Sequence, residues 1–121
     1  MGESKRLFIV DDEIESSENI AEFFGRLGYD VTLAHGGKPA IEILEKESFP
    51  VVLLDIKMPD LDGEEVLKFI MKKDPDTKVI MVTGFSVGKS REDFIEMGAC
   101  DYIMKPIDLA KMYDMLNKLY E

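Results

Sequence analysis

One cysteine and one histidine are the only thiol and imidazole groups in this 121-residue chain. Cys100 has no second cysteine to pair with, so no internal disulfide forms and nothing points to secretion. His35 follows a weak strand pattern with no metal-ligand neighbours in spacing, and reads as a surface loop residue. Cations are scarce too. Lys and Arg number 15 against 25 Asp and Glu, a formal net charge of −10. Such a surface repels phosphate backbones, which argues against direct nucleic-acid binding. The longest apolar runs have strand length, far short of the ~20 residues of a membrane helix. No apolar stretch follows the charged start Met1-Gly2-Glu3-Ser4-Lys5-Arg6, so no signal peptide is expected. Arg6 stands where a myristoylation signal carries Ser or Thr. Gly/Ser linkers, low-complexity tracts and repeats are also missing. What remains is 45% hydrophobic, too rich for a disordered acidic tail. A chain of this length buries roughly two-thirds of its unfolded surface. The expectation is one soluble cytoplasmic domain over residues 1–121, with no effector domain and no membrane contact.

Short apolar blocks alternate with longer amphipathic stretches. Leu7-Phe8-Ile9-Val10, Val51-Val52-Leu53-Leu54 and Val79-Ile80-Met81-Val82 are too short for helices and read as strands buried on both faces. Val31-Thr32-Leu33-Ala34 and Tyr102-Ile103-Met104 are weaker versions. Between them, Ile14, Ser17, Ala21, Phe24 and Leu27 repeat at helical spacing, as do Leu109, Met112, Tyr113, Leu116 and Leu119. Pro39 suits a first helical turn, Gly28 and Gly98 suit helix ends, and Asp74-Pro75-Asp76 closes the segment holding Val66, Leu67 and Ile70. The eight methionines read as core filler. Five β-α units in a row imply an α/β fold, a parallel sheet covered on both faces.

In such sheets the functional crevice lies beyond the carboxyl ends of the strands. After Val10 come Asp11, Asp12 and Glu13; after Leu54 comes Asp55; after Val82 comes Thr83; after Met104 comes Lys105-Pro106. Singly, these are ordinary loop residues and helix caps. Together they place carboxylates, a hydroxyl and an ammonium group at one edge of the sheet. Clustered carboxylates repel unless a cation binds, and hard oxygen donors of this kind suit Mg2+. A lysine and a hydroxyl beside the metal are the parts needed to hold a phosphoryl group.

Four ordered motifs complete the pattern: Phe8-Ile9-Val10-Asp11-Asp12-Glu13, Leu53 through Gly63, Val82-Thr83-Gly84, and Gly98 through Pro106. In order and spacing the chain resembles the receiver domain of two-component response regulators, the family that includes the chemotaxis regulator CheY. The resemblance implies a flavodoxin-like (βα)5 three-layer sandwich with strand order 2-1-3-4-5. It implies Asp55 as phosphoacceptor, taking a phosphoryl group from a histidine kinase or phosphotransfer protein. Asp11, Asp12 and Asp55, with the Lys57 backbone carbonyl, would hold Mg2+, Asp11 through a water. Lys105 would pair with the phosphoryl oxygens and Thr83 would hydrogen-bond one of them. Thr83 and Tyr102 would form the switch that alters the surface around the fourth helix, fifth strand and fifth helix for an unnamed protein target. The first helix, from Ile14, would be the kinase-docking surface. A cis bond is implied before Pro106.

The result is a phosphoacceptor switch rather than an enzyme, at most catalysing its own Mg-dependent phosphorylation and dephosphorylation. The alternative is a receiver excised from a larger regulator or hybrid kinase. A haloacid-dehalogenase-type phosphatase would carry a second Asp where Lys57 stands, and a flavodoxin would carry a Ser/Thr-rich loop where Asp11-Asp12-Glu13 stands. The intact acidic set argues against a degenerate receiver. Gly88-Lys89-Ser90 lacks the upstream glycine of a nucleotide loop, and Asp60-Leu61-Asp62-Gly63 lacks the ligands of an EF-hand, reading instead as a turn and helix cap. The glycine- and polar-rich segment Phe85-Ser86-Val87-Gly88-Lys89-Ser90 predicts a short or mobile start to the fourth helix. Lys57 and Phe85 offer no group to position an attacking water, which predicts a long-lived phosphoaspartate.

Overall fold

Apolar blocks too short for helices satisfy their backbone groups by pairing side by side. In the computed structural model, which describes residues 5–84 and 88–120, they form one parallel sheet. Its strands are β1 (Lys5–Val10), β2 (Tyr29–Ala34), β3 (Val51–Asp55), β4 (Lys78–Thr83) and β5 (Asp101–Met104), in the order β2-β1-β3-β4-β5. Each is followed by a helix: α1 (Ile14–Arg26), α2 (Gly37–Lys46), α3 (Gly63–Lys73), α4 (Arg91–Glu96) and α5 (Leu109–Leu119). The register lines up the strand ends that matter, with Val10 beside Leu54, Asp55 beside Val82, and Thr83 beside Met104.

Successive strand residues point to opposite faces, and here both faces are apolar. Phe8, Val10, Val52, Leu54, Val79 and Met81 pack against Ala40, Leu44, Val66, Leu67, Ile70 and Phe94 of α2, α3 and α4. Leu7, Ile9, Val51, Leu53, Ile80 and Val82 pack against Ile20, Phe24, Met112 and Leu116 of α1 and α5. This is the three-layer sandwich and strand order that the receiver resemblance implies. No helix among the described residues is long and apolar enough to cross a membrane.

Two expectations are corrected. On α1 the buried stripe is Ser17, Ile20 and Phe24, whereas Ile14 and Leu27 are 55% and 44% exposed. Both lie at the ends of the helix, where no strand side chain covers them. Among the methionines, Met81 and Met112 are core, but Met104 is 52% exposed at the end of β5.

Helix ends follow the sequence signals. Gly28 and Gly98 adopt positive φ after α1 and α4, and α3 stops at Lys73 before Asp74. α4 is six residues long, and Ser90 opens it with a capping box that pairs its side chain and backbone with Asp93. The Lys105–Pro106 bond is cis. At the amino-terminal edge of the sheet, polar side chains tie helices to strands. Arg6 pairs with Glu47, Tyr29 donates to Asn117 at 2.5 Å, and Tyr120 donates to the Arg6 carbonyl. Cys100 is exposed at this edge, its N–H donating to the Val79 carbonyl.

At the opposite edge α3 begins in direct contact with β3. The Gly63 N–H donates to the Ile56 carbonyl at 2.7 Å, and a Cβ on Gly63 would lie 2.8 Å from the Ile56 Cα and against the Asp55 carbonyl. By contrast, a Cβ on Gly25 of α1 would meet nothing within 4 Å. Gly63→Ala is therefore expected to cost about 1–3 kcal/mol or more through forced backbone displacement. Gly25→Ala should stabilise by about 0.5–1 kcal/mol through helix propensity. Urea denaturation of the two variants checks both signs.

Candidate functional site

Parallel strands deliver their carboxyl ends to one edge, and the first polar residue after each is held there by backbone bonds. The Asp11 N–H donates to the Ala34 carbonyl at 3.0 Å, the Ile56 N–H to the Val82 carbonyl at 3.0 Å, and the Lys105 N–H to the Thr83 carbonyl at 2.8 Å. These bonds bring four of the expected side chains together. Asp11, Asp12 and Asp55 each place a carboxylate oxygen within 4.8 Å of the others, and Asp11 and Asp55 are each only 5% exposed. Lys105 reaches in from β5, its Nζ 3.0 Å from Asp11 Oδ2 and 3.4 Å from Asp55 Oδ2. The other Asp11 oxygen accepts the Glu13 N–H at 2.9 Å.

The electrostatics follow from crowding. Burial first, then the Asp11 charge, push the Asp55 carboxyl up to about 7, against the opposing pull of Lys105. Burial acts to lower the Lys105 pKa, but its hydrogen bonds to Glu13 and Asp11 and the charge of Asp55 outweigh it and raise the ammonium pKa above the ordinary value. An open cleft of about 790 Å3 lies over this group, with Asp12, Asp55 and Lys105 in its floor and Asn19, Ile20 and Leu109 on its walls.

Lys57 also lines the cleft, with its side chain exposed. Thr83 is fully buried at the end of β4. Tyr102 sits apart, half-buried on β5 and stacked on Phe94 of α4 with ring centroids 5.7 Å apart. Phe85, paired with Lys57 in the lifetime argument, lies outside the described residues.

Three contacts escaped the sequence reading. Glu13 turns back to Lys105, Oε1 to Nζ 2.5 Å. His35 is exposed as expected, yet its Nδ1 lies 3.3 Å from the Asp11 carbonyl. Asp62 occupies the cap position of α3 without a side-chain cap bond, while Asp60 accepts the Gly37 and Lys38 N–H groups at the start of α2. Strand order already placed Glu13 at this edge, but nothing in the sequence pairs it with Lys105. Nothing local in sequence marks the other two, because their partners belong to different loops.

The geometry matches a known family. Residues 7–117 match the model of the response regulator receiver domain. The chain belongs to that family. This receiver, a module of two-component signalling, is 34% identical over 118 residues to the transcriptional regulatory protein CrdR of Helicobacter pylori, covering 96% of this chain and 55% of that protein. It is 32% identical over 115 residues to sporulation initiation phosphotransferase F of Bacillus subtilis, covering 95% of the receiver and 93% of the relative. Among solved structures it is similar to the response regulator TrrA of Thermotoga maritima in complex with Mg2+-BeF, at 32% identity and TM-score 0.84, covering 95% of this chain and 98% of that one. The receiver spans 25–55% of the length of several transcriptional regulators it matches.

A carboxyl whose folded pKa lies above its unfolded value of about 3.9 favours the fold most below about pH 4. That advantage is lost as pH rises through the folded value of about 7. In metal-free buffer, Asp55→Asn should therefore melt higher than wild type at pH 8, by about 5 °C, and the gap should narrow toward pH 4. Lys105→Met, which leaves Asp11 and Asp55 unpaired, should melt lower. Thermal denaturation in chelator from pH 4 to 8 measures both effects.

Proposed function

We infer that this receiver is a phosphorylation-activated switch that accepts a phosphoryl group on Asp55 with the help of Mg2+. The observation that carries this reading is the near-burial of Asp11 and Asp55 beside each other under an open cleft, with Lys105 the only ammonium paired to them among the described residues. Three carboxylates with oxygens this close, and one cation to offset them, suit a divalent metal with hard oxygen preference. Asp12, Asp55 and the Lys57 backbone carbonyl would hold Mg2+ directly and Asp11 through a water. When bound, the metal supplies charge neutralisation for the carboxylates and the incoming phosphoryl group. The Mg2+-BeF complex of TrrA supports the assignment.

The protein's own residues then do the following. Asp55 Oδ attacks phosphorus, forming the O–P bond as the P–N bond to the donor imidazole breaks. The imidazole leaves with the bonding electron pair. Lys105 loosens its hold on Asp11 and Glu13 and pairs with the transferred oxygens, while the Thr83 hydroxyl binds another. Aspartate is a weak nucleophile, so alignment and charge stabilisation supply most of the rate. The donor is a histidine kinase or phosphotransfer protein, docking on α1, where Ile14 is exposed and Asn19 and Ile20 wall the cleft. The relative that this receiver spans almost end to end is by name a phosphotransferase, which supports phosphoryl traffic through the site.

Output follows from movement of Thr83 toward the phosphoryl group and repositioning of Tyr102, which is now stacked on Phe94. A switch of this kind biases an existing equilibrium by ~1–3 kcal/mol. The altered surface meets a downstream protein rather than nucleic acid, in keeping with the net charge of −10. The domain acts in the cytoplasm as a phosphoacceptor rather than an enzyme.

Incubation with Mg2+ and phosphoramidate, followed by intact-mass measurement, should add one phosphoryl group to wild type and none to Asp55→Asn. Asp12→Ala should lose most of the Mg2+ dependence of both labelling and melting temperature. An unmodified wild-type mass overturns the reading.

A further inference from the structure

The loop between β3 and α3 carries the Lys57 carbonyl, and it is anchored in an unusual way. Its base is closed by the Gly63 N–H on the Ile56 carbonyl, and Met58 is buried in the core. The outer half has a third anchor. Asp60 Oδ1 accepts the Gly37 N–H at 3.0 Å and Oδ2 the Lys38 N–H at 2.9 Å, so one carboxylate takes two free donors of α2's first turn. The fit is tight on both sides. A Cβ on Gly36 would lie 2.8 Å from Asp60 Oδ2, and one on Gly37 would lie 2.6 Å from the Leu61 Cβ. Hydrogen bonding from Lys38, then Gly37, keeps the exposed Asp60 below the usual carboxylate range, so it is ionised at neutral pH. Asp62, two residues on, makes no side-chain bond to its helix.

We propose that Asp60 is a positioning residue for the metal site, its two-pronged bond to the first turn of α2 holding the loop so that the Lys57 carbonyl faces the Asp12–Asp55 pair. This rests on the reading that Lys57 supplies a backbone ligand. Pro59, whose ring fixes one of the intervening torsions, joins Asp60 to the buried Met58, which directly follows Lys57. The carboxylate touches no metal itself. It acts as outer partners of metal ligands do, by lowering the cost of ordering the ligand before the ion arrives. Linkage also runs the other way, so Mg2+ binding should strengthen the Asp60–α2 bond by the same factor.

The test compares Asp60→Asn with Asp62→Asn, which removes one negative charge from the same loop without breaking a bond. Isothermal titration with MgCl2 gives the dissociation constant, melting in chelator gives metal-free stability, and hydrogen exchange at Gly37 and Lys38 reports the clamp. Asp60→Asn should speed exchange at both amides and weaken Mg2+ binding about tenfold, with Asp62→Asn within twofold of wild type. A wild-type dissociation constant in Asp60→Asn, with only the melting temperature lowered, would show a merely structural bond and overturn the proposal. So would equal weakening by the two variants, or unchanged exchange at Gly37 and Lys38. If wild type itself gives no Mg2+ titration, the metal reading fails and the clamp's role falls with it. That outcome is distinct from a failure of the clamp alone.

Discussion

Two carboxylates almost out of water and next to each other are an unfavourable arrangement, and this chain keeps them so with a single ammonium group. Lys105 lies between Asp11, Asp55 and Glu13, close enough to bond all three. At such distances in a partly dry site, attraction and repulsion each amount to several kcal/mol, so the local structure is set by their near balance. The balance is incomplete, because one positive charge faces three negative ones here. Burial first, and then the charge of Asp11, raise the pKa of Asp55 despite the pull of Lys105. A site in this condition gains from added positive charge, which a divalent cation with hard oxygen preference would bring.

That arrangement requires rigid delivery, which the sheet supplies. The ends of β1, β3 and β5 are each tied to a neighbouring strand, through the N–H groups of Asp11, Ile56 and Lys105 on the carbonyls of Ala34, Val82 and Thr83. Both faces of the sheet are packed, so the strand ends have little freedom to retreat from the repulsion among their carboxylates. Apolar packing thus holds the charges together, and the charges in turn face the cleft. The motion available lies at the periphery: Glu13 on an exposed turn, Tyr102 on the half-covered β5, and the six-residue α4 held by its cap, by Phe94 and by the Arg91–Asp101 ion pair.

Much of this was legible in the residues, for an identifiable reason. Parallel strands buried on both faces appear as unbroken apolar blocks, and the polarity of the sheet says which end carries polar groups. Asp11, Asp12, Asp55, Thr83 and Lys105 could therefore be placed from order alone. The helical stripe of α1 was read with Ile14 and Leu27 inside because periodicity carries no information about where the supporting sheet stops. The partners of Glu13, His35 and Asp60 were invisible because they are set by loop-to-loop contact across 22 to 92 residues of sequence. Asp60 in particular sits in a stretch of turn formers and reads as a local cap, yet it serves a helix on the far side of another strand. The spacing rules are local, and this part of the site is not.

The separation of duties between the two edges of the sheet has a practical side. At the amino-terminal edge the polar groups knit helices to strands, and the exposed Cys100 lies at the same edge beside β4, its N–H donating to the Val79 carbonyl. From there to Lys105 the chain runs along β5, a span of about 15 Å at roughly 3.3 Å per residue. The chain's one thiol is thus a built-in point for attaching a fluorophore or spin label, close enough to β4 and β5 to sense their displacement and far enough from the carboxylates to leave them undisturbed. Displacement of those strands could then be followed optically in the unmodified sequence, with no cysteine to add and none to remove.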